Sequence, residues 1–141
     1  MVCCNDYKET FQFFTYIDIG HMFIVYKFLQ YATLIKLYHW STQSYSRHKA
    51  TDELYSAIQI GMDKFVEVYI GIYGRKEVFK GKAPSIDMQI ISDKDAIGLL
   101  DDIVSFLEKD IPKQVKSTDL LNIRDEILGN VNQAKYLFTL A

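Results

Sequence analysis

Two histidines and three carboxylates define the chemistry open to this chain: His39, His48, Asp52, Asp63 and Glu67. Imidazole nitrogen and carboxylate oxygen together form a donor mixture that iron, zinc and manganese accept. His48 and Asp52 are four residues apart, as are Asp63 and Glu67. On a helix, each pair therefore projects from one side about one turn apart. From Asp52 to Asp63 a helix rises roughly 16 Å, at about 1.5 Å per residue. Metal–ligand bonds are close to ~2 Å, so one ion cannot touch both pairs. The half-sites can join only if a second copy of the helix runs antiparallel to the first. A two-fold axis near Ala57 and Ile58 sets His48 and Asp52 of one chain beside Asp63 and Glu67 of the other. Small residues at Ser56, Ala57 and Gly61 are expected to admit the second helix. The expectation is an isologous antiparallel dimer with two shared metal sites.

The elements that must hold these residues are helical. From His48 onward, Leu54, Ile58, Gly61, Phe65, Val68 and Ile72 recur in steps of four and three, a buried stripe. A polar stripe of His48, Asp52, Ser56, Gln59, Asp63 and Glu67 runs beside it. This helix is predicted over about Tyr45 to Tyr73, with Gly74 as its stop. An earlier helix, about His21 to Ser41, buries Ile24, Phe28, Tyr31, Ile35 and Tyr38 and carries His39 and Trp40 in its last turn. The STQS turn at 41–44 offers N-caps. Beyond Gly74, a connector with basic residues between Arg75 and Lys82 reads as a solvated loop. Ser92 with Asp95 resembles a capping box. It opens a third helix marked by Ala96, Leu99, Leu100, Ile103 and Leu107, expected to end before Pro112. Ser117 or Thr118 opens a fourth, with Leu120, Ile123, Ile127, Val131, Ala134 and Phe138 inward. The fold class is all-α, a four-helix bundle over 19–141 with one long connector between helices 2 and 3. Residues 1–18 form an aromatic-rich arm.

The pattern His39-Trp40, then His48 with Asp52, then Asp63 with Glu67 resembles the ferroxidase signature of the Dps proteins, the miniferritins. In that family a His-Trp pair ends the first helix, a His-x3-Asp opens the second, and an Asp-x3-Glu follows at the spacing seen here. The gap from His39 to His48 is a few residues shorter than the family's usual loop. The resemblance implies a ferritin-like bundle and a site between two subunits, with His39, His48, Asp52, Asp63 and Glu67 as ligands to one or two irons. It also implies oxidation of Fe(II) by hydrogen peroxide or, less efficiently, dioxygen, sequestration of the product, and a dodecameric cage. Trp40 is then placed beside the iron, with Tyr45 and Tyr55 as lesser candidates for absorbing oxidising equivalents. The later stretch DLLNIRDEILGNVNQAKYLF resembles small ferritin-like proteins of large DNA viruses and phages.

Composition narrows the alternatives. At 141 residues and 49% hydrophobic, the chain supports one core and is not a disordered segment. A net charge of −2 and no lysine-rich tail argue against binding nucleic acid by bulk electrostatics. Met22 to Tyr38 is apolar but interrupted by Lys27, Gln30 and Lys36, so no membrane span is expected. The start lacks a basic region followed by an apolar core, so no signal peptide is expected. Adjacent Cys3 and Cys4 read as reduced thiols, which suits a cytoplasmic setting or, for a viral protein, the virion or host cytoplasm. Asp125 and Glu126 read as charges on the early turns of the last helix, with an intrasubunit site beside His39 as the alternative. Asn122, Asn132 and Gln133 are assigned to interhelical hydrogen bonds and His21 to a structural role. Two further functions stay open: an assembly protein of a viral particle without turnover, and a zinc- or manganese-bridged dimer.

Overall fold

The computed structural model describes residues 20–81 and 83–140; the expected arm over 1–18, with Cys3 and Cys4, lies outside them. In chain order the elements are α1 (Met22–Ser41), α2 (Tyr45–Tyr73), a short α3 (Arg75–Val78), α4 (Ala96–Ser105), a π turn (Phe106–Asp110), α5 (Ile111–Gln114) and α6 (Thr118–Leu137). Among the described residues all regular structure is helical. The backbone stays right-handed helical through Phe106 and Ile111, so α4, the π turn and α5 form one rod. The all-α reading holds, as four rods with a connector between the second and third.

Local signals set the boundaries of α1 and α2. Thr42 leaves α1 in an extended conformation while its N–H still reaches the Tyr38 carbonyl. Ser44 caps α2 by accepting from the Arg47 N–H at 3.3 Å. Gly74 ends α2 at φ 88°, a conformation open to glycine because it has no Cβ. The Ser92–Asp95 pair forms, with the Ser92 hydroxyl donating to the Asp95 carboxylate at 2.9 Å, but in a turn just ahead of α4.

Helix α1 is buried on nearly every side, Lys27 and Gln30 included, instead of showing a polar face. It is wedged between α2 and the α4–π rod, where Phe28 packs on both Phe65 and Phe106, and Tyr31 on Phe106. Burial pushes the Lys27 ammonium below its usual range, opposed by the nearby Asp110 and Asp102 carboxylates. Its Nζ also lies over the Tyr31 and Phe23 rings, at 5.4 and 5.8 Å. No described helix is long and apolar enough to cross a membrane.

Leu54, Ile58 and Phe65 of α2 are buried as the periodicity demands, but Ile72 is 46% exposed and Tyr69 fully buried. The last turns of α2 face the start of α1, where Tyr69 and Tyr73 pack on the His21 ring at 5.3 and 4.8 Å. His21 also hydrogen-bonds the Tyr69 hydroxyl, a structural role as expected. Gly61 does not face a second chain. A Cβ there would lie 2.5 Å from Cγ1 of Ile127, so the missing side chain serves the approach of α2 to α6.

The third rod runs through Pro112 instead of stopping before it. The π turn shifts the backbone pairing, so Pro112 falls in the first turn of α5, where a missing N–H has little consequence. The turn also frees backbone acceptors, and Arg124 of α6 donates from Nη1 to the Leu107 carbonyl at 3.0 Å.

Candidate metal half-site

His39 stands in the last turn of α1 and His48 in the first turn of α2, on antiparallel helices joined by a three-residue turn. Their rings stack at 4.0 Å between centroids and 17° between planes. Each Nδ1 hydrogen-bonds the other residue's backbone carbonyl: His39 to His48 at 2.9 Å, and His48 to His39 at 2.8 Å. A carbonyl oxygen only accepts, so each Nδ1 carries the proton. In the neutral ring the lone pair then sits on Nε2. The His39 carbonyl is one of the last four of α1 and has no partner within the helix, so the His48 ring satisfies a group that the helix end leaves open.

Thr51, which sequence reasoning passed over, completes the clamp. It is 1% exposed and donates to the Arg47 carbonyl at 2.7 Å. Its hydroxyl oxygen lies 3.1 Å from Nδ1 of His39, where it accepts a second branch of that donor. Its sequence signal is weak: a threonine three residues after His48, on the inner side of α2. Fixing a ring by its Nδ1–H while Nε2 stays open is how proteins orient imidazole toward a metal.

The carboxylates do not converge on the histidines within one chain. Asp52 is exposed one turn beyond His48. Asp63 and Glu67 are exposed far along α2; Asp63 lies roughly 22 Å of helical rise from His48. Among the described residues no group of three His, Cys, Asp or Glu could hold a metal ion, and His39 and His48 are the only two of the five predicted ligands brought together. No ion pair among the described residues engages Asp52, Asp63 or Glu67. Asp125 accepts from Arg124 Nε at 2.7 Å and Glu126 is exposed. Asn122, Asn132 and Gln133 are exposed, not set between helices.

Trp40 is 68% exposed, with Lys36 Nζ 5.4 Å above its ring and 4.5 Å above that of Tyr55. Tyr45 is exposed and Tyr55 half-buried. Below the histidines lies a second cluster, also unsuspected from sequence. Tyr38 and Thr42 donate to the Asp93 carboxylate at 2.7 and 2.5 Å, and Arg47 donates to the Asp93 carbonyl at 2.6 Å. This ties the α1–α2 turn to the end of the long connector.

Residues 39–138 match the model of a family of unknown function, DUF5856, a span that covers His39 and His48 and all of α2 and α6. The chain belongs to DUF5856. A relative of the chain is the "Uncharacterized 14.6 kDa protein in mobD-ri intergenic region" of Enterobacteria phage T4. It is 36% identical over 105 residues, which cover 72% of this chain and 74% of the relative. No solved structure matches the chain. These findings overturn the miniferritin resemblance. The DUF5856 match spans the residues that carried it, and no ferritin-like family matches. The physical reason is that a few histidines and carboxylates at helical spacing can recur wherever two helices pack, without common descent.

Proposed function

We propose that this DUF5856 protein binds Fe(II) between two antiparallel copies, where hydrogen peroxide oxidises it, each peroxide taking one electron from each of two Fe(II) ions and leaving as two hydroxides. His39 and His48 of one copy serve as neutral ligands, and Asp52, with Asp63 and Glu67 of the other, as anionic ones. The observation that carries the reading is the reciprocal Nδ1–carbonyl lock, which leaves two stacked imidazoles with Nε2 as their free donor. The donor set fits iron: imidazole suits Fe(II), and hard carboxylate oxygens favour the ferric product. Zinc or manganese held without turnover is the competing outcome of the test. The phage relative supports a setting in an infected cell's cytoplasm or in the particle, where an assembly role without metal is the alternative.

The test is an anaerobic Fe(II) titration followed by addition of peroxide, read by absorbance. The native protein is compared with His39→Ala and with an Asp63→Ala, Glu67→Ala double variant. Saturable binding and oxidation that both variants lose supports the shared site. Binding of Fe(II) that survives in the double variant refutes the sharing, and no binding of Fe(II), Zn(II) or Mn(II) refutes the metal reading altogether.

A further inference from the structure

The outer face of α1 and α2 carries a knob at one end and a hole at the other. The knob is Trp40, exposed although its neighbour His39 is buried. The hole is a groove of about 150 Å³ lined by Val25, Leu29, Met62, Asp63 and Val66. On α1 the two lie along one stripe, because Val25, Leu29, Lys36 and Trp40 recur at helical spacing. Leu29 to Trp40 spans the same number of residues as Asp52 to Asp63, roughly 16 Å of rise. The operation that joins the metal half-sites therefore also exchanges knob and hole. Trp40 lies at the level of Thr51, which touches His39. A two-fold that pairs His48 with Glu67 and Asp52 with Asp63 carries that level to Lys64, between Met62 and Val66.

From this juxtaposition we infer that Trp40 of each copy inserts into the groove beside Asp63 of the second copy, so that two tryptophans anchor an isologous dimer. The charges agree. Lys36 travels with Trp40 and arrives within a turn of Asp63, which has no ion-pair partner among the described residues. A large ring leaving water for an apolar groove, with a cation beside a carboxylate, is the usual make-up of an interface anchor. The inference rests on the antiparallel arrangement proposed above and adds the contact that holds it without metal.

Trp40 is the single tryptophan, so its fluorescence reports the contact directly. Emission and iodide quenching are followed against protein concentration in metal-free buffer, with sedimentation velocity on the same samples. The expected result is a blue shift and reduced quenching as dimer forms. Trp40→Ala is expected to weaken dimerisation about 30-fold or more, as for a buried hot-spot tryptophan. Val66→Asp in the groove, and Leu29→Asp at an already exposed position, should leave Trp40 exposed with unchanged helicity. A dimer whose Trp40 stays exposed, a chain monomeric throughout, or a Leu29→Asp variant that dimerises like the native protein overturns the inference. A dimer with Trp40 buried that binds no metal overturns the metal reading alone. A metal-bound dimer with Trp40 exposed overturns this contact alone.

Discussion

Replacing Gly61 by alanine adds one methyl group at the tightest point between α2 and α6, and two opposed effects decide the sign. Alanine in a helix interior is favoured over glycine by about 0.8–1 kcal/mol. Against this, the new Cβ meets Ile127 at 2.5 Å to Cγ1 and 2.9 Å to Cδ1. Ile127 is 2% exposed. Its branched Cβ restricts χ1 in a helix, so Cγ1 cannot swing aside. Overpacking of this kind costs about 1–3 kcal/mol, so the clash wins by about 1 kcal/mol, a fall in Tm of about 4 °C. Gly71→Ala is the control. It lies in the same helix with nothing within 4 Å of the added Cβ, and should gain up to about 1 kcal/mol. Chemical denaturation of Gly61→Ala, Ile127→Ala and the double variant completes a cycle. Once Ile127 is truncated, Gly61→Ala should become neutral or stabilising, a coupling of about 1–3 kcal/mol. A Gly61→Ala protein as stable as Gly71→Ala, or a cycle without coupling, would refute the α2–α6 register described above.

Thr51→Val keeps the shape of a buried side chain but removes the second acceptor of the His39 ring. It should lower Co(II) or Fe(II) affinity about 10–100-fold while circular dichroism stays native. Arg124→Met withdraws the donor to the Leu107 carbonyl and should cost about 1–2 kcal/mol in urea denaturation, because a π-turn acceptor loses its charged partner. The hydrogen bonds from Thr42 and then Tyr38, with the Arg47 guanidinium nearby, hold the Asp93 carboxyl below its usual 3.8. The folded-state value is depressed, so this stabilisation is complete above about pH 4 and lost as pH falls through the acid range. Asp93→Asn should therefore flatten the acid limb of a Tm-versus-pH curve and leave its slope near neutrality unchanged.

The helices themselves were legible from the sequence. Two-residue punctuation at Gly74 and at Ser44, and the steps of four and three through Leu54, Ile58 and Phe65, place α2 without tertiary information, because capping and amphipathic period are local. Local reasoning also brought His39 and His48 to adjoining helix ends. It misjudged Pro112, since a π turn is an event of packing around Phe106 and leaves no periodic trace. It misjudged Ile72 and passed over Tyr69, since the end of α2 is shaped by His21, a residue far away in the chain. Family membership was lost for another reason: residue types at helical spacings describe a chemistry, not a descent.

The sequence is enough to show that the chain is helical, that two imidazoles and three carboxylates share α2 and its approach, and that a single helix cannot close them on one ion. Helical rise is fixed by backbone geometry, so those statements need no neighbour. Only the tertiary structure decided that Gly61 faces Ile127 and not a second chain, and that Trp40 stands in solvent while Lys27 is buried. It alone oriented both histidines, through carbonyls contributed by the opposite helix. Those facts depend on which surfaces meet at an interhelical distance: a half-turn of α1 about its axis would undo the histidine clamp and exchange the settings of Trp40 and Lys27, and a rotation of α2 against α6 would take Gly61 off Ile127.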